Sequence, residues 1–145
     1  MRGVRLTAIV ATSVGATALA VPESQARRVA TPSGTIVCSD AASVDRPGLR
    51  RGVVCTITRQ SFMPSNRCDG GYNPSAILQP RGRTTRRDQC GVALGSLGSG
   101  TVTTVRAGSR VRIDGVTCRA TVRSIRCANR DGRGFQLSAR AFRRF

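Results

Sequence analysis

The sequence has no histidine, no lysine and no tryptophan, and its one glutamate is Glu23. These absences remove whole classes of chemistry. General acid–base catalysis most often uses His or a tuned carboxylate. A Ser-His-Asp triad, a Ser-Lys dyad and a Lys Schiff base are unavailable to this chain. Beyond residue 26 the carboxylates are Asp40, Asp45, Asp69, Asp88, Asp114 and Asp131. An aspartate pair is the one glycosidase-like arrangement left. Asp69, Asp114 and Asp131 each precede a glycine, however, as turn residues do. Without His and without a Cys-x-x-Cys pair, a zinc site is not expected. Aromatics are confined to Tyr72 and four phenylalanines, too few for a base-stacking platform, and no nucleic-acid-binding motif occurs. The expectation is no catalytic residue, no cofactor, no metal and no specific nucleic-acid partner.

Long apolar runs are also scarce. The one uncharged stretch is Leu6 to Val21, 16 residues, short of the ~20 that a membrane-spanning helix needs. It follows Arg2 and Arg5 and is broken by Pro22, as in an export signal. Ser24-Gln25-Ala26 supplies small residues at the cleavage positions, with Ala18-Leu19-Ala20 as the other candidate. Cleavage is expected after Ala26 or after Ala20. No cysteine stands at the cut, which argues against a lipid anchor. The organisation read here is a signal peptide over 1–26 and a single disulfide-stabilised β domain over 27–145. The product is expected to be secreted, extracellular or associated with the cell wall, with no transmembrane segment after cleavage. Oligomeric state is not legible, and a monomer is assumed.

The mature segment contains 27 large apolar residues, of which 11 are valine. Such a core is thin for its length, and cross-links would offset the shortfall. Six cysteines are present, at 38, 55, 68, 90, 118 and 127, all beyond the signal. An even count in an oxidising compartment implies three disulfides and leaves no free thiol as nucleophile. Fifteen connectivities are open, and pairing of neighbours is favoured: Cys38–Cys55, Cys68–Cys90 and Cys118–Cys127. Each such bridge would contribute roughly 3 kcal/mol.

The last pair has a geometric basis. Val116 to Ala120 and Ile125 to Ala128 both alternate apolar and polar residues, as half-buried strands do. Folding the chain back at Val122-Arg123 sets Cys118 opposite Cys127 and Ala120 opposite Ile125. With a two-residue loop the cysteines occupy a narrow, non-hydrogen-bonded pair; with a four-residue loop they occupy a wide one, and both can be bridged. Val-Arg lacks the positive-φ residues that a two-residue hairpin prefers. The same register sets Arg119 opposite Arg126, with Arg123 at the turn. Like charges so placed are destabilising. Plain solvation, a nearby Asp or a bound anion would each relieve them. Arg119, Arg123, Arg126 and Arg133 are the candidate anion-binding residues.

Elsewhere short strands are broken by Gly, Pro and Asn. Thr35–Cys38, Val53–Thr58 and Phe135–Ser138 are strand-like. The stretch 61–90 is expected to be irregular, apart from a short turn near Ser75–Leu78. Gly95 to Gly100 reads as a flexible loop. Thr101–Val105 and Arg110–Ile113 are expected to form a hairpin around Ala107-Gly108. Asp114-Gly115 marks a turn or bulge, and the tail one helical turn. The fold class is therefore all-β: a small disulfide-stabilised domain of short antiparallel strands and hairpins.

Several segments carry a resemblance. Pro32-Ser33-Gly34-Thr35-Ile36-Val37-Cys38 and Val53-Val54-Cys55-Thr56-Ile57 are followed by Gly115-Val116-Thr117-Cys118, Ser124-Ile125-Arg126-Cys127-Ala128-Asn129 and Gly132-Arg133-Gly134-Phe135-Gln136-Leu137-Ser138. The chain resembles a family of secreted actinobacterial proteins of unknown function with a PSGNIxC opening and a closing GVxCxN…GHGFxLSR pattern. Thr35, Ser124 and Arg133 depart from it, standing where the family has Asn, Gly and His. The resemblance implies a secreted, disulfide-bonded module and brings no activity. A structural turn feeding the last strand accounts for the Gly-x-Gly-Phe segment, with Phe135 in the core.

Charge is the other dominant feature. The full chain carries a net charge of +17, and every basic residue is Arg. A surface of this density associates with polyanions such as wall phosphate polymers, acidic headgroups or polysaccharides. The pairs Arg50-Arg51, Arg86-Arg87 and Arg143-Arg144 bring forked donors suited to phosphate. The expected function is a non-catalytic module that binds anionic cell-envelope polymer non-specifically. A secreted inhibitor or cationic toxin is the alternative, and a hydrolase comes last.

Overall fold

Among the described residues, eleven strands build two sheets. The computed structural model describes residues 28–44, 48–58, 72–90 and 101–145, with backbone alone for 72–73 and 87–90. The strands are β1 (Arg28–Ala30), β2 (Ile36–Asp40), β3 (Val53–Ile57), β4 (Tyr72–Leu78), β5 (Thr85–Cys90), β6 (Thr103–Thr104), β7 (Arg110–Ile113), β8 (Val116–Ala120), β9 (Ser124–Ala128), β10 (Gly134–Ser138) and β11 (Phe142–Arg144). The first sheet has the order β5-β4-β3-β2-β1-β6, and the second is the meander β11-β10-β9-β8-β7. Neighbours are antiparallel except β1 and β6, which run parallel. The proposed signal over 1–26, the loop from Gly95 to Gly100 and Cys68 lie outside the described residues. No described helix is long and apolar enough to cross a membrane.

One apolar layer joins the sheets. Val29, Ile36, Val53, Ile57 and Leu78 of the first meet Val111, Ile113, Val116, Ile125, Phe135 and Leu137 of the second. Both described disulfides lie in this layer, but neither crosses it. Cys38–Cys55 links β2 to β3, and Cys118–Cys127 links β8 to β9, each with Cα atoms 4.0 Å apart. All four half-cystines are fully buried and serve as core filling. Sulfur therefore staples strands within a sheet, and apolar contact holds sheet to sheet. The third expected pair, Cys68–Cys90, falls on Cys68 and so outside the described residues.

Polar ties close one end of the sandwich. Asp114 and Asp131, from turns of the second sheet, accept hydrogen bonds from the backbone N–H of Gly52 (2.6 Å) and Gly82 (2.8 Å) in the first. Asn129 Nδ2 donates to the carbonyls of Gln79 (3.1 Å) and Gly82 (2.8 Å). At the other end Ser33 N–H donates to the Val122 carbonyl at 3.1 Å. Asp40 caps a short 3₁₀ turn over Ala41–Ser43 by accepting from Ser43 N–H.

Several expectations need correction. Of the stretch 61–90, residues 61–71 lie outside the described residues, and the described remainder is not largely irregular, because β4 and β5 occupy most of it. Residues Pro74 to Leu78 of β4 are all buried. A strand covered on both faces shows no alternation, which is why the pattern hides it. Its outward hydroxyl, Ser75 Oγ, is satisfied by Thr56 Oγ1 at 2.9 Å. Thr101–Val105 does not pair with Arg110–Ile113. Instead β7 pairs with β8 across Asp114-Gly115, whose φ values of +39° and +82° match the two-residue turn that suits antiparallel twist. The short β6 then joins β1 in the other sheet. The tail forms β11 rather than a helical turn.

Candidate anion-binding face

The hairpin β8–β9 has the expected register: Cys118 faces Cys127, Arg119 faces Arg126, and Ala120 faces Ile125. Thr121 N–H donates to the Ser124 carbonyl at 2.8 Å, so the loop is the two-residue one. Neither Val122 nor Arg123 has positive φ. Side chains hold the turn instead. Ser124 N–H donates to Thr121 Oγ1 at 3.0 Å, and the two hydroxyls meet at 2.7 Å. The Ser124 that stands where the resembled family has Gly thus contributes a hydroxyl in place of backbone freedom.

Alternation across the second sheet turns one set of side chains outward. Along β8 the burial runs buried, exposed, buried, exposed, buried, which exposes Thr117 and Arg119. Register then continues the row. Arg110 faces Arg119, Arg119 faces Arg126, Arg126 faces Gln136, and Gln136 faces Arg143. Four arginines and one glutamine span all five strands, a row about 19 Å long at the usual ~4.8 Å strand spacing. All five side chains are exposed.

No carboxylate among the described residues contacts this row. The described aspartates are committed elsewhere: Asp40 to its turn, Asp131 to Gly82, Asp114 to Gly52 and Arg51. The row is not wholly unrestrained. Arg119 Nε donates to the Gly108 carbonyl at 3.2 Å. The Arg126 guanidinium carbon lies 3.7 Å from the centroid of the Phe145 ring, a cation–π contact. Gly134 makes room for that ring: a Cβ there would lie 2.6 Å from Phe145 Cζ and would also strike the Cys127 carbonyl. Opposed arginines each cost a few tenths of a kcal/mol. The sheet carries that repulsion with no described acid to offset it, and an anion lying along the row would remove it.

The four sequence candidates do not form one cluster. Arg119 and Arg126 are neighbours in the row. Arg123 sits at the β8–β9 turn, and Arg133 at the turn after β9, which is the opposite end of that strand. Sequence reasoning missed Arg110 and Gln136, and it named Arg143 only as half of the Arg143-Arg144 pair. Arg110 follows from the Asp-Gly turn, since folding at 114–115 sets 110 against 119. Of the tandem arginines, Arg143 and Arg144 do not act together. In β11, Arg143 points outward with the row, whereas Arg144 lies 5.8 Å from the centroid of Phe142 on the core side. Arg86 approaches the same ring from β5, also at 5.8 Å. Adjacent strand residues face opposite sides, so an Arg-Arg pair in a strand is not a single site.

No group of three or more His, Cys, Asp or Glu side chains comes together among the described residues. Comparison with protein-family models, with curated proteins and with solved structures finds no match to this chain.

Proposed function

We propose that this chain is an exported, non-catalytic binding module for anionic cell-envelope polymers, with the outer face of the second sheet as its contact surface. The observation that carries the reading is the row Arg110-Arg119-Arg126-Gln136-Arg143, which meets no described carboxylate. A linear polyphosphate-type backbone matches a linear array of guanidinium forks. The signal read in residues 1–26 and the family resemblance support a location outside the membrane. An electrostatic contact of this kind depends on salt. Each phosphate neutralised contributes roughly a threefold loss of affinity for a fourfold rise in salt.

The test is retention of the oxidised protein on purified cell wall at about 50 and about 200 mM salt. Retention should fall steeply between the two. Replacing Arg110, Arg119, Arg126 and Arg143 by Gln should remove most of it. Replacing the exposed Arg83, Arg106, Arg133 and Arg140 instead, for the same charge change, should remove much less. Equal losses from the two sets would show that bulk charge alone acts, without a face. Retention indifferent to salt would exclude the electrostatic mechanism.

A further inference from the structure

A second cationic feature lies away from the outer face, at the laced end of the sandwich. There a concavity of about 440 Å³ is lined by Arg50, Arg51, Arg81 and Arg130, with Pro80 and Gly115 among its other walls. The four arginines come from three separate segments: the loop before β3, the loop after β4 and the turn after β9. They are far apart in sequence and are brought together by the packing of one sheet on the other.

Two described carboxylates flank it, Asp114 and Asp131, and both are engaged, Asp131 by Gly82 N–H at 2.8 Å. Asp114 accepts from Gly52 N–H through Oδ2 at 2.6 Å and from Arg51 Nη2 through Oδ1 at 3.2 Å. Among the described residues, Arg50, Arg81 and Arg130 have no carboxylate partner. Three guanidiniums with no carboxylate partner among the described residues therefore share one concavity. The frame beneath them is fixed. Arg130 N–H donates to the Pro80 carbonyl at 3.3 Å. Asn129 and Asp131, on either side of it, bind the 79–82 loop through Gln79 and Gly82. Gly115 abuts the Pro80 ring, to which a Cβ on that glycine would approach within 3.3 Å. The side chains are exposed, and the segments that carry Arg81 and Arg130 are tied to each other.

We infer that this concavity is a discrete binding site for a small, multiply charged phosphate ligand. The volume falls within the ~300–1,000 Å³ range of small-molecule sites. Guanidinium forks from three directions suit a tetrahedral oxyanion bearing more than one charge. A diphosphate, or a phosphodiester segment of a polymer, offers that charge; a lone carboxylate does not. The site is separate from the outer row, because no row residue lines it.

Titration calorimetry of the oxidised full chain with inorganic pyrophosphate tests the inference. One saturable site is expected. Arg50→Gln, Arg81→Gln and Arg130→Gln should each weaken it at least tenfold, the usual effect of losing a hydrogen bond to a charged group. These side chains are exposed, so thermal melting should stay unchanged and report that the variants fold. The row variant lacking Arg110, Arg119, Arg126 and Arg143 should bind pyrophosphate within twofold of the parent. A glycerol-phosphate oligomer that competes with pyrophosphate would identify a polymer segment as the source, and one that does not compete would identify a small free ligand. Absence of a saturable site, or equal weakening by the row variant, overturns the inference. Neither result bears on wall retention, which the row variants read separately.

Discussion

At the scale of single residues, a few side chains hold more than their exposure suggests. Asp114 makes an ion pair with Arg51 and a hydrogen bond to Gly52 N–H. The Arg51 side chain is 71% exposed and that of Asp114 26%. The exposed ion pair is therefore worth at most about 1 kcal/mol. The bond to the amide is the stronger term, because losing it leaves a half-buried N–H unsatisfied. Arg51→Ala should lower stability by less than about 0.5 kcal/mol. Asp114→Ala should lower it by about 1–3 kcal/mol in urea denaturation. Comparable losses would show that the ion pair carries the tie. Gly134 is the second such residue. Gly134→Ala forces a Cβ against the Cys127 carbonyl and the Phe145 ring. A loss of about 1–3 kcal/mol is expected. A neutral result would mean that β9 and β11 both shift to admit the Cβ.

At the scale of elements, the β8–β9 pairing was readable because two signals agreed. Alternation and cysteine spacing set Cys118 against Cys127, although Val122-Arg123 is a poor turn sequence, and the register follows from them. What propensity could not show was how Val122-Arg123 turns without positive φ; the answer lies in the hydroxyls of Thr121 and Ser124. Thr121→Val should therefore cost about 1 kcal/mol while keeping the side-chain volume. Strand β4 was missed for the opposite reason, since burial on both faces erases the period-two pattern. The partner of β7 was misassigned because Ala107-Gly108 and Asp114-Gly115 both read as turns. Only the second puts both central residues in the left-handed region. The disulfides make a further prediction at this scale. The bridges enclose separations of 17 and 9 residues. Loop closure then assigns them roughly 3 and roughly 2.5 kcal/mol. Replacing Cys38 and Cys55 by Ala should be about 0.5 kcal/mol more destabilising than replacing Cys118 and Cys127. A reversed order would mean that core filling by sulfur outweighs chain restraint.

At the scale of the whole molecule, the all-β class and two of the disulfides were legible in composition and spacing, but the two-layer arrangement was not. A thin apolar inventory suggested that sulfur would do most of the holding. The structure divides the work differently, because the described bridges stay within sheets and faces rich in valine and isoleucine join them. Neither sheet can bury its inner face without the other. Unfolding of the oxidised protein should therefore be a single transition, with calorimetric and van't Hoff enthalpies equal. Two resolved transitions would mean that the sheets are independent. The arginine row is likewise a property of the assembled sheet, since it draws one or no arginine from each of five strands. Its most direct test is NMR of the arginine Nε–Hε signals during titration with a linear phosphate polymer. Apart from any shifts at Arg50, Arg81 and Arg130 of the concavity, the account predicts early shifts concentrated on Arg110, Arg119, Arg126 and Arg143. Shifts spread evenly over the exposed arginines of both sheets would contradict it.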